Sequence, residues 1–193
     1  MGALGMALFE TSIGVCGIAW SERGIAGVQL PEANAIATRA RLLRRFPGTE
    51  ETLPAATAQR AIDGIVELLG GIPVDLRDIA LDDANVPPFE RRVYAVARGI
   101  GPGATLTYGE IAALVDEPAA ARAVGQALGN NPFAIIVPCH RVLAAGGRIG
   151  GFSAGGGAAT KRRILAIERA RVGDAPDLFA DEPALHPPAG PTA

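Results

Sequence analysis

The spacing of apolar residues changes twice along this chain, and each change marks a change of element. Between residues 7 and 30, ETSIGVCGIAW and GIAGVQL are rich in Ile, Val and Gly on either side of SERG, the composition of a β-hairpin. The period then lengthens. In ANAIATRARLLRRF, Ile36, Leu42, Leu43 and Phe46 stand among arginines at helical spacing, and AATAQRAIDGIVELLGG sets Ile62, Ile65, Val66 and Leu69 on one face before a Gly-Gly stop. LRDIALDD alternates well enough for one more short strand, and DDANVPP breaks the pattern near residue 85. Beyond the break, PPFERRVYAVARGI, TYGEIAALV and PAAARAVGQALGNN predict three short helices joined by GPGATL and DE. Pro118 begins the third and Gly129-Asn130 ends it. NPFAIIVPCHRV reads as a buried strand, GGRIGGFSAGGG as a loop, and AATKRRILAIERAR as a last helix that brings Ile164, Leu165, Ile167 and Glu168 over the residues before it.

These elements predict an α+β fold. A small β-sheet with helices occupies residues 1–85, and a helix-turn-helix (winged-helix-like) domain occupies residues 86–172. An acidic, Pro-rich tail follows over 173–193, where no period supports a packed element. The third helix, AAARAVGQALG, surrounds one long cation, Arg122, with small residues, as a helix laid close against a nucleic-acid backbone would. Tight packing against a neighbouring helix, with Arg122 solvated, explains the same composition.

Composition narrows the function classes. With 193 residues, 49% of them hydrophobic and 20% charged, the chain buries a core of ordinary size. No apolar run approaches the ~20 residues that span a bilayer, and no basic residue precedes Arg23, so the expectation is a cytoplasmic protein with no membrane partner. Cys16 and Cys139 are expected to be reduced thiols, and no ligand spacing for a metal is visible. The glycines of the loop match neither a dinucleotide nor a phosphate-loop motif. The net charge of −2 conceals an asymmetry. Residues 86–172 carry eleven basic and five acidic side chains, whereas residues 1–85 carry seven and eleven, and the tail carries none and four. The cationic middle is the footprint of a phosphate-binding surface.

The candidate chemistry lies in PCHRV. Cys139 is either a small buried hydrophobe or a nucleophile beside its base, His140, because the other histidine, His186, lies in the tail. Adjacent residues of a regular strand point to opposite faces, so a working pair requires the strand to break at Pro138 or a water to bridge. Glu168 is the acid available to orient the imidazole.

Taken in order, PPFERRVYAVARGIGPGATLTYGEIAAL, PAAARAVGQALGNNPFAIIVPCHRV, GGFSAGG and KRRILAIE resemble the methylated-DNA–protein-cysteine methyltransferases, over about residues 86–170. The resemblance implies that Cys139 accepts an alkyl group from O6 of guanine, with O4 of thymine a further substrate, in one irreversible turnover and without a cofactor. It implies that His140 and Glu168 form a relay through water, and that Asn131 braces the turn holding the cysteine. Tyr108, Arg122, Arg141 and Ser153 would meet DNA, with Tyr108 rotating the nucleotide out and Arg122 filling the gap. Val142, Phe152 and Ser153 would line the base pocket. The implied partner is double-stranded DNA bearing O6-alkylguanine, bound by a monomer. Two features depart from the family pattern: AGGGAAT between Ser153 and Lys161 is longer than usual, and Phe152 stands where Tyr is usual. A DNA-damage binding module without transfer and a cysteine hydrolase using Cys139 and His140 are the alternatives. The cysteine argues against the first, and the Arg122 helix, purposeless in a hydrolase, against the second.

Overall fold

The computed structural model describes residues 5–153 and 155–173, and the expected disorder of the tail lies almost wholly outside them. Strands β1 (Gly5–Thr11), β2 (Gly14–Ser21) and β3 (Gly24–Gln29) form an antiparallel meander in the order β1-β2-β3. The hairpin expected over 7–30 is therefore three strands, because ETSIGVCGIAW contains the first turn, at Ser12-Ile13, as well as β2. At the second turn Gly24 has φ of 139°, and a Cβ there would lie 2.4 Å from the Ala80 carbonyl oxygen, so glycine is required twice over.

Helices α1 (Ala35–Arg45) and α2 (Ala56–Leu69) lie against this sheet. Asn34 caps α1 by accepting from the Ala37 amide at 2.9 Å. Leu42 is buried while Ile36 is 80% exposed, so α1 buries only part of the expected apolar set. Ile62, Ile65 and Leu69 of α2 pack into one core with Ile18, Trp20, Ile25 and Val28 of the sheet. That core continues past residue 85 to Val93, Ile111, Val124, Phe133 and Cys139.

The free edge of β3 carries two further pieces of chain. Ile25 pairs with Leu81 in one isolated bridge, with Ile25 N donating to Ala80 O at 2.9 Å and Asp82 N to Ile25 O at 2.7 Å, so LRDIALDD supplies a single bridge in place of the expected strand. Val28 pairs with Phe133, its amide donating to Pro132 O at 2.8 Å, and this docks the segment before Cys139 onto the sheet.

Helices α3 (Pro88–Arg98), α4 (Tyr108–Leu114) and α5 (Ala121–Gly129) pack on one another. The third begins at Ala121, three residues later than expected, because Pro118 sits in the preceding turn. Two short strands, β4 (Leu106–Thr107) and β5 (Val142–Leu143), pair in parallel, Leu106 opposite Val142, and α6 (Gly157–Ile167) closes the described chain. Tyr108 follows β4 and Cys139 precedes β5, so this two-residue ladder brings the two regions together. No helix among the described residues is long and apolar enough to cross a membrane.

Candidate active site

After Phe133 the chain reverses where a strand was expected. Val137 N donates to Phe133 O at 2.8 Å, and Asn131 ties both ends of the turn, donating Nδ2 to Val137 O at 2.8 Å and accepting from Phe133 N at 2.9 Å. Inside the turn Ile135 has φ of 73°, a region costing a β-branched residue about 1–3 kcal/mol, which persists only where surrounding bonds over-determine it. Phe133, Ile135, Ile136 and Val137 are all buried. The apolar run correctly marked burial but not the local conformation.

Pro138 ends the turn, and Cys139–Arg141 form a single 3-10 turn. Side chains of a 3-10 turn are about 120° apart, so the strand geometry that would hold Cys139 and His140 on opposite faces does not apply. Cys139 lines a cavity of about 200 Å³, whose wall includes Asn131, Ala134, Phe152 and Ser153. His140 is fully buried. Its Nε2 lies 3.0 Å from Glu168 Oε1, and both side chains are at most 1% exposed. An ionised carboxylate requires the ring N–H at Nε2, which leaves Nδ1 as the acceptor. Nδ1 is buried and has no hydrogen-bond partner among the described residues.

Electrostatics fix the charge states. Burial pushes the His140 imidazole below its ordinary range, against the pull of Glu168, so the ring is neutral near pH 7. Burial works against ionisation of Glu168 as well, but hydrogen bonds from Arg141 and His140 outweigh it and hold the carboxyl at about 2. Burial raises the Cys139 thiol, and the Asn131 side chain, the Lys161 charge and local amides oppose that rise. The thiol is therefore mainly protonated at rest and needs a base.

Arg141 requires a correction. Expected to meet DNA, it is 5% exposed and faces inward. Its Nε and Nη2 donate to the two oxygens of Glu168 at 2.8 and 2.7 Å, and Nη1 donates to the Ile100 carbonyl. A cation committed in this way offers nothing to a phosphate. It anchors the carboxylate that holds His140.

The other expected site residues fall into two groups. Tyr108 is half-buried, with its hydroxyl close to Gly150 in the glycine-rich loop. Phe152 packs against the core on the cavity wall, and Ser153 lines the same cavity from an exposed position. Val142 is buried, and its carbonyl accepts from Lys161 Nζ at 2.5 Å, leaving one lone pair for another donor. Arg122 stands apart from the cavity, exposed in the first turn of α5.

Sequence reasoning missed Lys161 and one wall of the cavity. Lys161 is 1% exposed, and its ammonium lies 5.8 Å from the centre of the Tyr108 ring as well as on Val142 O. A signal was present: the only lysine among 18 basic residues precedes Ile164 and Leu165 at i+3 and i+4, and all three share the buried face of α6. The missed wall consists of Val28, Gln29 and Leu30 with Arg41 and Arg45 of α1. No local pattern in residues 28–45 points to a segment more than ninety positions away.

Residues 88–170 match the family model described as the 6-O-methylguanine DNA methyltransferase DNA-binding domain. A methylated-DNA–protein-cysteine methyltransferase of Mycolicibacterium paratuberculosis is 46% identical over 112 residues, which cover 57% of this chain and 67% of the relative. A protein of the same name from Methanothermobacter thermautotrophicus is 31% identical over 152 residues, 79% of this chain and 78% of that one. The crystal structure of Mycobacterium tuberculosis OGT in complex with DNA superposes with a TM-score of 0.70 at 31% identity, covering 89% of this chain and 96% of the other.

Proposed function

Because the chain belongs to the methylated-DNA–protein-cysteine methyltransferase family, whose members reverse DNA damage directly by moving an alkyl group to a cysteine, we propose that Cys139 is the acceptor and O6-alkylguanine in double-stranded DNA the substrate. The observation that carries this reading is the imidazole held by Glu168 through Nε2, beside a cysteine that opens on a cavity. His140 Nδ1 takes the thiol proton through a water, and Glu168, clamped by Arg141, balances the imidazolium that forms. The thiolate then displaces guanine from the alkyl carbon. The C–S bond forms as the C–O6 bond breaks, and the electron pair passes to the base. In this reading Tyr108, whose ring centre lies 5.8 Å from the Lys161 ammonium, is the donor to the base as that negative charge develops.

A base inside a duplex cannot reach a buried thiol, so the nucleotide must leave the stack at a cost of a few kcal/mol, less for a weakly paired, damaged base. In this reading Arg122 fills the vacated space, and α5 lies along the groove with its small residues inward. The first turn of α5 has no side-chain cap, which leaves its amides available to phosphate. Asn131 keeps the cysteine turn in place, while Phe152, Ser153 and the Val142 carbonyl bound the base. Because a thioether has no easy return, each molecule acts once.

The experiment is Cys139→Ala tested against a duplex labelled on the O6-methyl group. It should abolish label uptake and leave duplex affinity within a few-fold, since phosphate contacts supply most of that affinity. Stoichiometric label on the variant would overturn the assignment.

A further inference from the structure

The acceptor cavity has a cationic wall that methyl transfer does not use. Arg41 and Arg45, one helical turn apart on α1, line the same cavity as Cys139 and Ser153. Arg41 is committed to Glu32, with Nε 3.2 Å from the carboxylate. Arg45 makes no hydrogen bond or ion pair among the described residues, and its guanidinium carbon lies 5.6 Å from the centre of the Phe46 ring. Partial desolvation against the protein, and then the charge of Arg41, work against its protonated form, although the side chain stays open to solvent. A bound anion would offset that repulsion. Gln29, Asn130 and Asn131 also line this cavity, so its polar surroundings suit a charged group.

We propose that Arg45, with Arg41 beside it, forms an anion subsite of the acceptor cavity, which makes guanines whose O6 substituent ends in a carboxylate preferred substrates over neutral groups of equal size. The inference rests on Cys139 being the acceptor. A thiolate approaching a methylene that bears a carboxylate meets a like charge, and a guanidinium placed at the carboxylate offsets that repulsion along the line of attack. For the smallest such substituent, carboxymethyl, the methylene–sulfur bond forms and the methylene–O6 bond breaks. The bonding pair stays with the guanine, which takes up the proton that left the thiol, and the products are S-carboxymethylcysteine and unmodified guanine. A DNA phosphate is the other source of an anion for this pair, and the two are separable.

The test measures single-turnover rates of transfer to Cys139 from O6-carboxymethylguanine and from its neutral carbamoylmethyl analogue, each as the free base and in one duplex. The wild-type protein is compared with R45Q and R45K. R45Q should lower the carboxymethyl-to-carbamoylmethyl rate ratio roughly tenfold on the free bases, the loss typical of one charge-assisted hydrogen bond, and R45K should retain most of the ratio. An unchanged ratio in R45Q, with transfer intact, overturns the subsite. So does a loss confined to the duplex and equal for both substituents, which assigns Arg45 to a phosphate. Absence of transfer from every substrate, O6-methylguanine included, sinks the acceptor reading itself and the subsite with it.

Discussion

Glu168 accepts from His140 and Arg141 at once, so one carboxylate sets both the tautomer of the base and the position of a buried cation. Members of such a unit fail together. His140→Ala and Glu168→Gln should each slow transfer from a free alkylated base by about 10²–10⁴-fold, and the double variant should be scarcely slower than the worse single one, as single-turnover kinetics would read. Multiplicative losses would mean that the two residues serve the fold separately. Raising the pH should partly rescue His140→Ala, because the thiol then ionises without its base. Glu168 also ties stability to pH. Its folded value, about 2, lies below the ordinary carboxylate range, so its contribution is complete above that range and is lost as pH falls toward about 2. Denaturant unfolding between pH 5 and roughly pH 2 should therefore show a steep loss that Glu168→Gln flattens. At this scale the sequence pointed to Cys139 and His140, because cysteine and histidine each occur only twice in the chain, and to Glu168 through its place on the last helix. It misdirected Arg141, since charge alone does not reveal which cation is buried against a carboxylate.

Elements were legible where their signals are local. The pattern TYGE is a capping box, and Thr107 and Glu110 form it: Glu110 N donates to Thr107 Oγ1 at 3.2 Å and Thr107 N to Glu110 Oε2 at 2.6 Å. The box fixes the start of α4, and Tyr108 is the first residue of that helix. The cysteine turn was not legible, because its conformation depends on tertiary bonds: Asn131 bridging Phe133 and Val137, and Pro132 docked on β3. An apolar run looks the same whether it is buried as a strand or as a turn. Asn131→Ala removes two bonds that hold Ile135 in its strained conformation, and it should destabilise the protein by about 2–3 kcal/mol in denaturant melts. Transfer should fall together with stability. A variant as stable as wild type would show that the turn is held by packing alone.

Across the whole molecule, the sheet of residues 5–29 does more than precede the site. Its β3 edge carries the segment leading to Cys139, and α1 supplies one wall of the acceptor cavity. Apolar periodicity pointed to the α+β class and the charge distribution to the cationic stretch of 86–172, but neither to this docking, which depends on contacts between residues about a hundred positions apart. It follows that the acceptor is selected by position in the fold, not by thiol chemistry alone. Cys16 makes the contrast: it is buried in β2 beside the Thr11 hydroxyl, 3.7 Å away, and burial raises its thiol to about 12. The most direct measurement is the intact mass of the protein, with peptide mapping, after incubation with excess duplex containing O6-methylguanine. The account predicts a plateau at one added methyl per chain, located on Cys139, with Cys16 unmodified and no further gain on adding fresh duplex. No mass gain, a methyl on any other residue, or continued turnover of the duplex by unmodified protein would contradict it.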